Sequence, residues 1–254
     1  MSEQDSMLNE LKAMAKSNVT RRSVLAGAGA VGAGSLLAAC GGGGGSDTDV
    51  RWGNWTLYLD YDSDKKVYPT LEEFTAQTKI AVKYLEDYND NDEFYGKVQG
   101  QLKLKKDIGY DLICPTDWMA ARYIRLGYAQ KLDKANIPNA KNILPALASV
   151  PYDTGRDYSL TWQGIMGGFT WNKEKLPKGV HTLDELFAPA NKGKIEVLTE
   201  LRDTVGVIML AQGVDITKFT ADEYYNALDF LQKKISDGFI RQVKGNDYKE
   251  DLIS

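Results

Sequence analysis

The short apolar run Tyr110-Asp111-Leu112-Ile113-Cys114, halted by Pro115, constrains the fold more than any other stretch of this chain. A nearly continuous run of that length fits a strand buried on both faces, as in parallel sheets covered by helices. Two strand-like runs precede it, Val50 to Trp55 and the alternating Ile80 to Leu85. Helical patterns fill the intervals. Tyr68-Pro69 opens one through Leu71, Phe74 and Thr78, with Pro69 in the first turn, where a missing N–H costs nothing. From Asp92, the residues Phe94, Val98 and Leu102 recur at four-residue steps. Thr116-Asp117 caps a third helix (Trp118, Ile124, Leu126), which Gly127 ends. The order β-α-β-α-β-α implies a mostly parallel sheet with right-handed crossovers. Ligands of such sheets gather at the carboxyl ends of strands, where Trp55 and the segment Pro115 to Trp118 both lie.

The chain from Tyr128 to Tyr152 is looser, with prolines at 138, 145 and 151. Two strands are expected next, Tyr158 to Gln163 and Gly168 to Asn172, with Gly164, Gly167 and Gly168 marking a bend or crossing. A short capped helix (Thr182 to Phe187), a strand (Lys194 to Leu198) and a helix (Arg202 to Ala211) follow. Thr220-Ala221-Asp222-Glu223 is a capping box that starts a helix through Tyr224, Leu228, Leu231 and Ile235. Phe239 to Val243 reads as a last strand. Asn246 to Ser254 then begins an element that stops short, so the sequence reads as C-terminally truncated.

The beginning of the chain reads as an address rather than a fold. Thr20-Arg21-Arg22-Ser23-Val24-Leu25 is a twin-arginine pattern, followed to Ala39 by an uncharged Ala-, Gly- and Leu-rich stretch. Leu37-Ala38-Ala39-Cys40 matches a lipobox, with Cys40 the lipidated residue, and Gly41 to Ser46 a flexible tether. The expected division is a signal peptide over 1–39 and a lipidated tether over 40–49. The mature protein is expected at the outer face of the cytoplasmic membrane, in the periplasmic space, held through the lipid on Cys40. With Cys40 so used, Cys114 is left unpaired and no disulfide is expected.

The residues restrict the chemistry. A net charge of −4 gives no basic field to gather phosphates, so nucleic acid is not an expected partner. A single histidine, His181, excludes a histidine metal cluster and leaves a histidine triad without a basis; it reads as a turn residue before a helix. No Gly-x-Ser-x-Gly elbow is present, so a secreted hydrolase is disfavoured, and no catalytic residue, cofactor or metal is expected. Asp87, Asp90 and Asp92, between Glu86 and Glu93, lack the glycine and terminal glutamate of a calcium loop and read as a solvated loop. The adjacent Tyr224 and Tyr225 invite comparison with ferric-iron sites, but Tyr224 shares the face of Leu228 and Leu231 and reads as core.

What remains is Trp52-Gly53-Asn54-Trp55-Thr56-Leu57-Tyr58, two indoles and a phenol at a strand end. Such rings line a pocket for a flat or cationic ligand, or pack the sheet and cap its edge.

At this point the chain resembles the substrate-binding proteins of bacterial spermidine/putrescine ABC transporters. Asn54-Trp55-Thr56-x-Tyr58 and Tyr110-Asp111-Leu112-Ile113-x-Pro115 carry the likeness, together with Leu132-Asp133-Lys134, the Asp157-to-Gly164 segment and Leu198-Thr199-Glu200-Leu201-Arg202-Asp203. The resemblance runs from about Val50 to the end of the chain. It implies an α/β, two-lobed periplasmic-binding-protein fold (type II-like), with lobe 1 over 50–160 and an incomplete lobe 2 over 161–254. It further implies a monomeric receptor that closes over a polyamine and delivers it to ABC transporter permease subunits. Trp55 and Tyr58 would be aromatic walls and Thr116 a polar contact. Trp118 falls where the family places a tyrosine, and equally suits the core of its helix. Asp203 falls at a ligand-facing glutamate, and equally serves the first turn of its helix. The family's aspartate three positions before that glutamate has no clean match and would fall on Glu200 or Leu201; Glu200 otherwise reads as a loop carboxylate. Leu57 replaces a polar family residue. The same fold would also suit another solute, such as thiamine, an organic cation or ferric iron.

Overall fold

The structure is a computed structural model and describes residues 49–253. The twin-arginine segment, the lipobox with Cys40 and the glycine tether lie outside the described residues. Among the described residues no helix is long and apolar enough to cross a membrane.

The first half alternates as its sequence pattern requires: β1 (Val50–Trp55), α1 (Pro69–Thr78), β2 (Val82–Tyr88), α2 (Asn91–Lys103), β3 (Leu112–Ile113) and α3 (Asp117–Arg125). The strands pair in parallel in the order β2-β1-β3, with Trp52 opposite both Tyr84 and Leu112. The expectation that Tyr110 to Cys114 is buried on both faces is corrected. β3 is an edge strand of two residues, and Leu112 is 52% exposed. An apolar run reports low polarity, whereas double-sided burial needs a neighbour beyond it, and β1 is the neighbour β3 has.

Pro69 occupies the first turn of α1, and Lys79 closes that helix in the left-handed region at φ 65°. Asp90 caps α2 by accepting from the Glu93 N–H at 2.9 Å, which buries Phe94, Tyr95 and Val98 against the sheet. Tyr88 at the end of β2 stacks on Phe94 at 3.9 Å between ring centroids, and Met119 and Tyr123 of α3 complete this core. Gly53 is required at its place in β1: a Cβ there would stand 2.9 Å from Tyr110 Cδ1. That ring is in turn anchored, since the Tyr110 hydroxyl donates to Asp87 at 2.6 Å.

Three 3-10 turns at Lys134–Asn136, Pro138–Asn142 and Pro145–Leu147 follow, as the prolines suggest. The buried pair Asp153 and Arg156 ties the next loop. Asp153 accepts the backbone N–H groups of Asp157, Tyr158 and Ser159, and Arg156 donates to the Leu147 carbonyl. The strands expected over Tyr158 to Gln163 and Gly168 to Asn172 are not formed, and residues 159–172 carry neither helix nor strand. A strand exists only by pairing, and among the described residues no strand lies alongside them.

The second half comprises α4 (Leu183–Leu186), β4 (Ile195–Leu198), α5 (Leu201–Ala211), α6 (Ala221–Ser236), β5 (Ile240–Lys244) and α7 (Tyr248–Ile253). β4 and β5 pair in parallel. Their core gathers Phe187, Ile195, Val205, Ile208, Met209, Ala227, Leu231 and Ile240, with Tyr224 packed against it and Tyr225 61% exposed. The Thr220 capping box is complete in both directions.

Two measurements check this description. Thr220→Ala is expected to lower unfolding stability by about 1 kcal/mol in a denaturant titration, and Thr220→Ser by much less. Gly53→Ala is expected to cost about 1–3 kcal/mol, because the methyl displaces the Tyr110 ring from its bond to Asp87.

Candidate functional site

Parallel strands deliver their carboxyl ends to one side, and every candidate residue follows such an end. Trp55 closes β1 half-buried, its indole N–H donating to the Cys114 carbonyl just past β3 at 2.7 Å. Its ring lies 5.2 Å from Tyr88 and 6.1 Å from Tyr58. The Trp55 ring packs on the first core and also stands beside Tyr58. Between them the chain turns at Leu57, whose φ of 67° is left-handed and whose side chain is 69% exposed. Burial holds the Tyr58 phenol above its ordinary pKa; the Gln163 side chain opposes this, and the charge of Asp203 adds to it.

Thr116 is the N-cap residue of α3, yet its hydroxyl does not cap the helix. It accepts instead from Asn91 Nδ2 at 2.8 Å, while its own N–H donates to Asn91 Oδ1 at 3.1 Å. Asn91, 1% exposed, is thus held at both ends of its amide. The same Nδ2 donates to Glu200 Oε2 at 2.7 Å, and the Trp118 indole N–H donates to Glu200 Oε1 at 2.6 Å. Trp118 also packs on the first core, and Arg202 lies 5.8 Å from its ring centroid. Asn91 is the residue that sequence reasoning passes over. A polar first residue of a helix, directly after a strand end, is the signal that marks it.

Glu200 and Asp203 stand at the start of α5, one turn apart. Burial raises the pKa of Glu200, opposed by its hydrogen bonds to Asn91 and Trp118 and reinforced by the charges of Asp203 and Asp90. Burial also raises that of Asp203, and the nearby charge of Asp117 adds to it. The two acids differ in one respect. Both oxygens of Glu200 are engaged, whereas no hydrogen-bond donor or cation among the described residues meets the Asp203 carboxylate, which lies beside Gly167. Placed in the first turn of α5, Asp203 also favours the helix dipole.

Other features lack this convergence. Burial pushes the Cys114 thiol up to about 11, which leaves it protonated and unreactive at neutral pH. The acids of the Glu86-to-Glu93 stretch have protein partners: Asp87 takes the Tyr110 hydroxyl, Asp90 caps α2 and Asp92 pairs with Arg122. No group of three His, Cys, Asp or Glu side chains among the described residues is arranged to hold a metal ion. A hollow of about 140 Å³ beneath the 3-10 turns is lined mainly by aliphatic side chains such as Leu132, Ile137, Ile143 and Leu160, away from these residues.

The family of bacterial extracellular solute-binding proteins matches residues 70–253. The spermidine/putrescine-binding periplasmic protein of Escherichia coli is 29% identical over 206 residues, 79% of this chain and 57% of that protein. A putrescine-binding periplasmic protein of Pseudomonas aeruginosa is 32% identical over 151 residues, 56% of this chain and 38% of its own length. Among solved structures, the TpPotD lipoprotein of Treponema pallidum superposes with a TM-score of 0.64 at 20% identity, covering 81% of this chain and 62% of that one. A Listeria monocytogenes protein, described as a putative spermidine/putrescine ABC transporter, gives 0.58 at 20% identity, covering 77% and 56%. The chain therefore spans between about two fifths and three fifths of the length of these relatives, and shares the fold of the two solved structures. This chain belongs to the bacterial extracellular solute-binding proteins.

Proposed function

We propose that this chain is the solute-binding part of an extracytoplasmic receptor that captures a polyamine, spermidine or putrescine, and delivers it to an ABC transporter permease. The observation that carries the reading is the half-buried Asp203 carboxylate, which no cation or donor among the described residues meets and whose charge is felt by the Tyr58 phenol beside Trp55. A polyamine is a protonated, mostly aliphatic rod. Its ammonium groups need carboxylates and charge-assisted hydrogen bonds, and its methylene runs need flat apolar walls. Aromatic faces serve both parts, attracting a cation by roughly 0.5–2 kcal/mol each. Names borne by relatives sharing 29% and 32% of aligned residues support the same substrate class.

In this proposal Trp55, Tyr58 and Asp203 contact the ligand. Thr116 acts through Asn91, and Trp118 borders the crevice. The lobes divide between residues 160 and 161. Export follows the twin-arginine route, Cys40 carries a lipid at the outer face of the cytoplasmic membrane, and the receptor works as a monomer without catalysing a reaction.

Binding is tested on the full-length protein that carries this chain. Spermidine or putrescine at about 100 times its Kd is expected to raise stability by about 2.7 kcal/mol, and Trp55→Ala to weaken binding by about 2- to 30-fold. A melting shift with thiamine or ferric iron but with no polyamine would reassign the substrate within the same fold. Turnover of a generic ester or glycoside would overturn the receptor reading.

Asp203 also sets a pH dependence. Because its folded pKa is raised, the native state binds this proton more tightly than the unfolded chain. Stability from this group is therefore lost as pH rises through the window above the ordinary aspartate value, and the full penalty is present at neutral pH. Without ligand, Asp203→Asn is expected to melt higher than the parent at pH 7. That advantage should vanish toward pH 3 while polyamine affinity falls at neutral pH. A variant that melts lower at pH 7 would contradict the assignment.

A further inference from the structure

Glu200 and Asp203 lie one helical turn apart, yet their surroundings are unlike. Asp203 has no partner among the described residues. Glu200 has two, and both come from the first sheet's elements: Asn91 Nδ2 at 2.7 Å and Trp118 Nε1 at 2.6 Å. We infer that Glu200 is a latch between the two halves of the receptor rather than a ligand contact, and that the tripeptide Asn89-Asp90-Asn91 is the keeper into which the second half closes.

The keeper is built before the latch arrives. Asn91 is buried and fixed by the Thr116 backbone N–H and hydroxyl, so its second amide proton is aimed outward for a carboxylate. Asp90, beside it, accepts the Thr199 hydroxyl as well as capping α2. Asn89 accepts the backbone N–H of Asn246 on its carbonyl at 2.8 Å and that of Asp247 on its side-chain oxygen at 3.1 Å. Three consecutive residues after β2 thus receive the loop after β4 and the loop after β5 together. Gly245 makes the second approach possible, since a Cβ there would overlap the Asn89 carbonyl oxygen.

The chemistry favours a latch over a binding group. A ligand ammonium on Glu200 would have to compete with two short charge-assisted bonds from donors already in place. Asp203 presents its charge with no such competition. The two acids therefore divide the work, Glu200 closing the protein on itself and Asp203 meeting the cation. If closure is a two-state equilibrium, weakening the latch lowers the apparent affinity for every ligand by the same factor, the fraction of closed molecules. The residues themselves define the latch; its meaning for transport rests on the receptor reading above.

The test needs no ligand. Hydrogen exchange of the Trp118 indole N–H and of the Asn246 and Asp247 amides is followed by NMR in the full-length protein that carries this chain. Glu200→Gln presents an amide to donors that need acceptors. It is expected to speed exchange at all three sites by at least about tenfold while amides of α2 and α6 keep their protection. Gly245→Ala leaves Glu200 in place and is expected to expose the Trp118 indole in the same selective way, which covers the case in which Glu200→Gln does not fold. Adding Trp118→Phe to Glu200→Gln should produce no further change at Asn246. Unchanged exchange at Asn246 in Glu200→Gln, or a uniform rise across both cores, would overturn the latch. A failure of the parent protein to bind spermidine would overturn the proposed substrate and leave these exchange results standing.

Discussion

Parallel pairing is the constraint on which the rest depends. β1 is hydrogen-bonded in parallel to β2 and β3, and β4 in parallel to β5, so the carboxyl ends of the strands within each sheet face one way. Each strand end hands the chain to a loop and then to a helix N-terminus, where polar side chains find unmet backbone donors. Trp55, Asn89 to Asn91, Cys114 to Trp118, Thr199 to Asp203 and Gly245 to Asp247 all occupy these positions. The site is a consequence of topology before it is a consequence of any single residue.

Within that geometry, desolvation decides what each acid does. Removing a carboxylate from water without partners costs several kcal/mol, whereas a hydrogen bond to a charged group returns about 1.5–3 kcal/mol. Glu200, with two donors at 2.6 and 2.7 Å, offsets part of its burial within the protein. Asp203 has no such donor among the described residues; burial raises the pKa of both acids, and only for Glu200 do hydrogen bonds oppose it. A cation of the right size would offset the burial of Asp203. Stability is held back at the point where binding is proposed, as is common in functional sites.

Much of the fold is legible in the sequence because local rules and packing agree. The four-residue recurrence from Phe94 becomes the buried face of α2, Pro69 opens α1, and the Thr220 capping box starts α6 as its spacing requires. Legibility fails where a neighbour decides. Tyr158 to Gln163 has the composition of a strand but no partner strand among the described residues, and Tyr110 to Cys114 has the composition of a doubly covered strand and forms an edge. The aromatic motif at Trp55 and Tyr58 and the acid at Asp203 are visible as candidates. The bond from Trp118 to Glu200 is not, because 82 residues separate its partners and only folding brings them together. Asn91 is missed for the same reason, and the acidic stretch around it reads as a solvated loop until its carboxylates are seen to be partnered.

The central claim is that one acid of the Glu200 and Asp203 pair serves the protein and the other serves a cation. A crystal structure of the full-length protein carrying this chain, grown with spermidine, tests it most directly. The account predicts an ammonium group within hydrogen-bond distance of Asp203, flanked by the rings of Trp55 and Tyr58, with Trp118 still donating to Glu200. An ammonium seated on Glu200 with the Trp118 indole released, or a neutral ligand in the crevice, would contradict it.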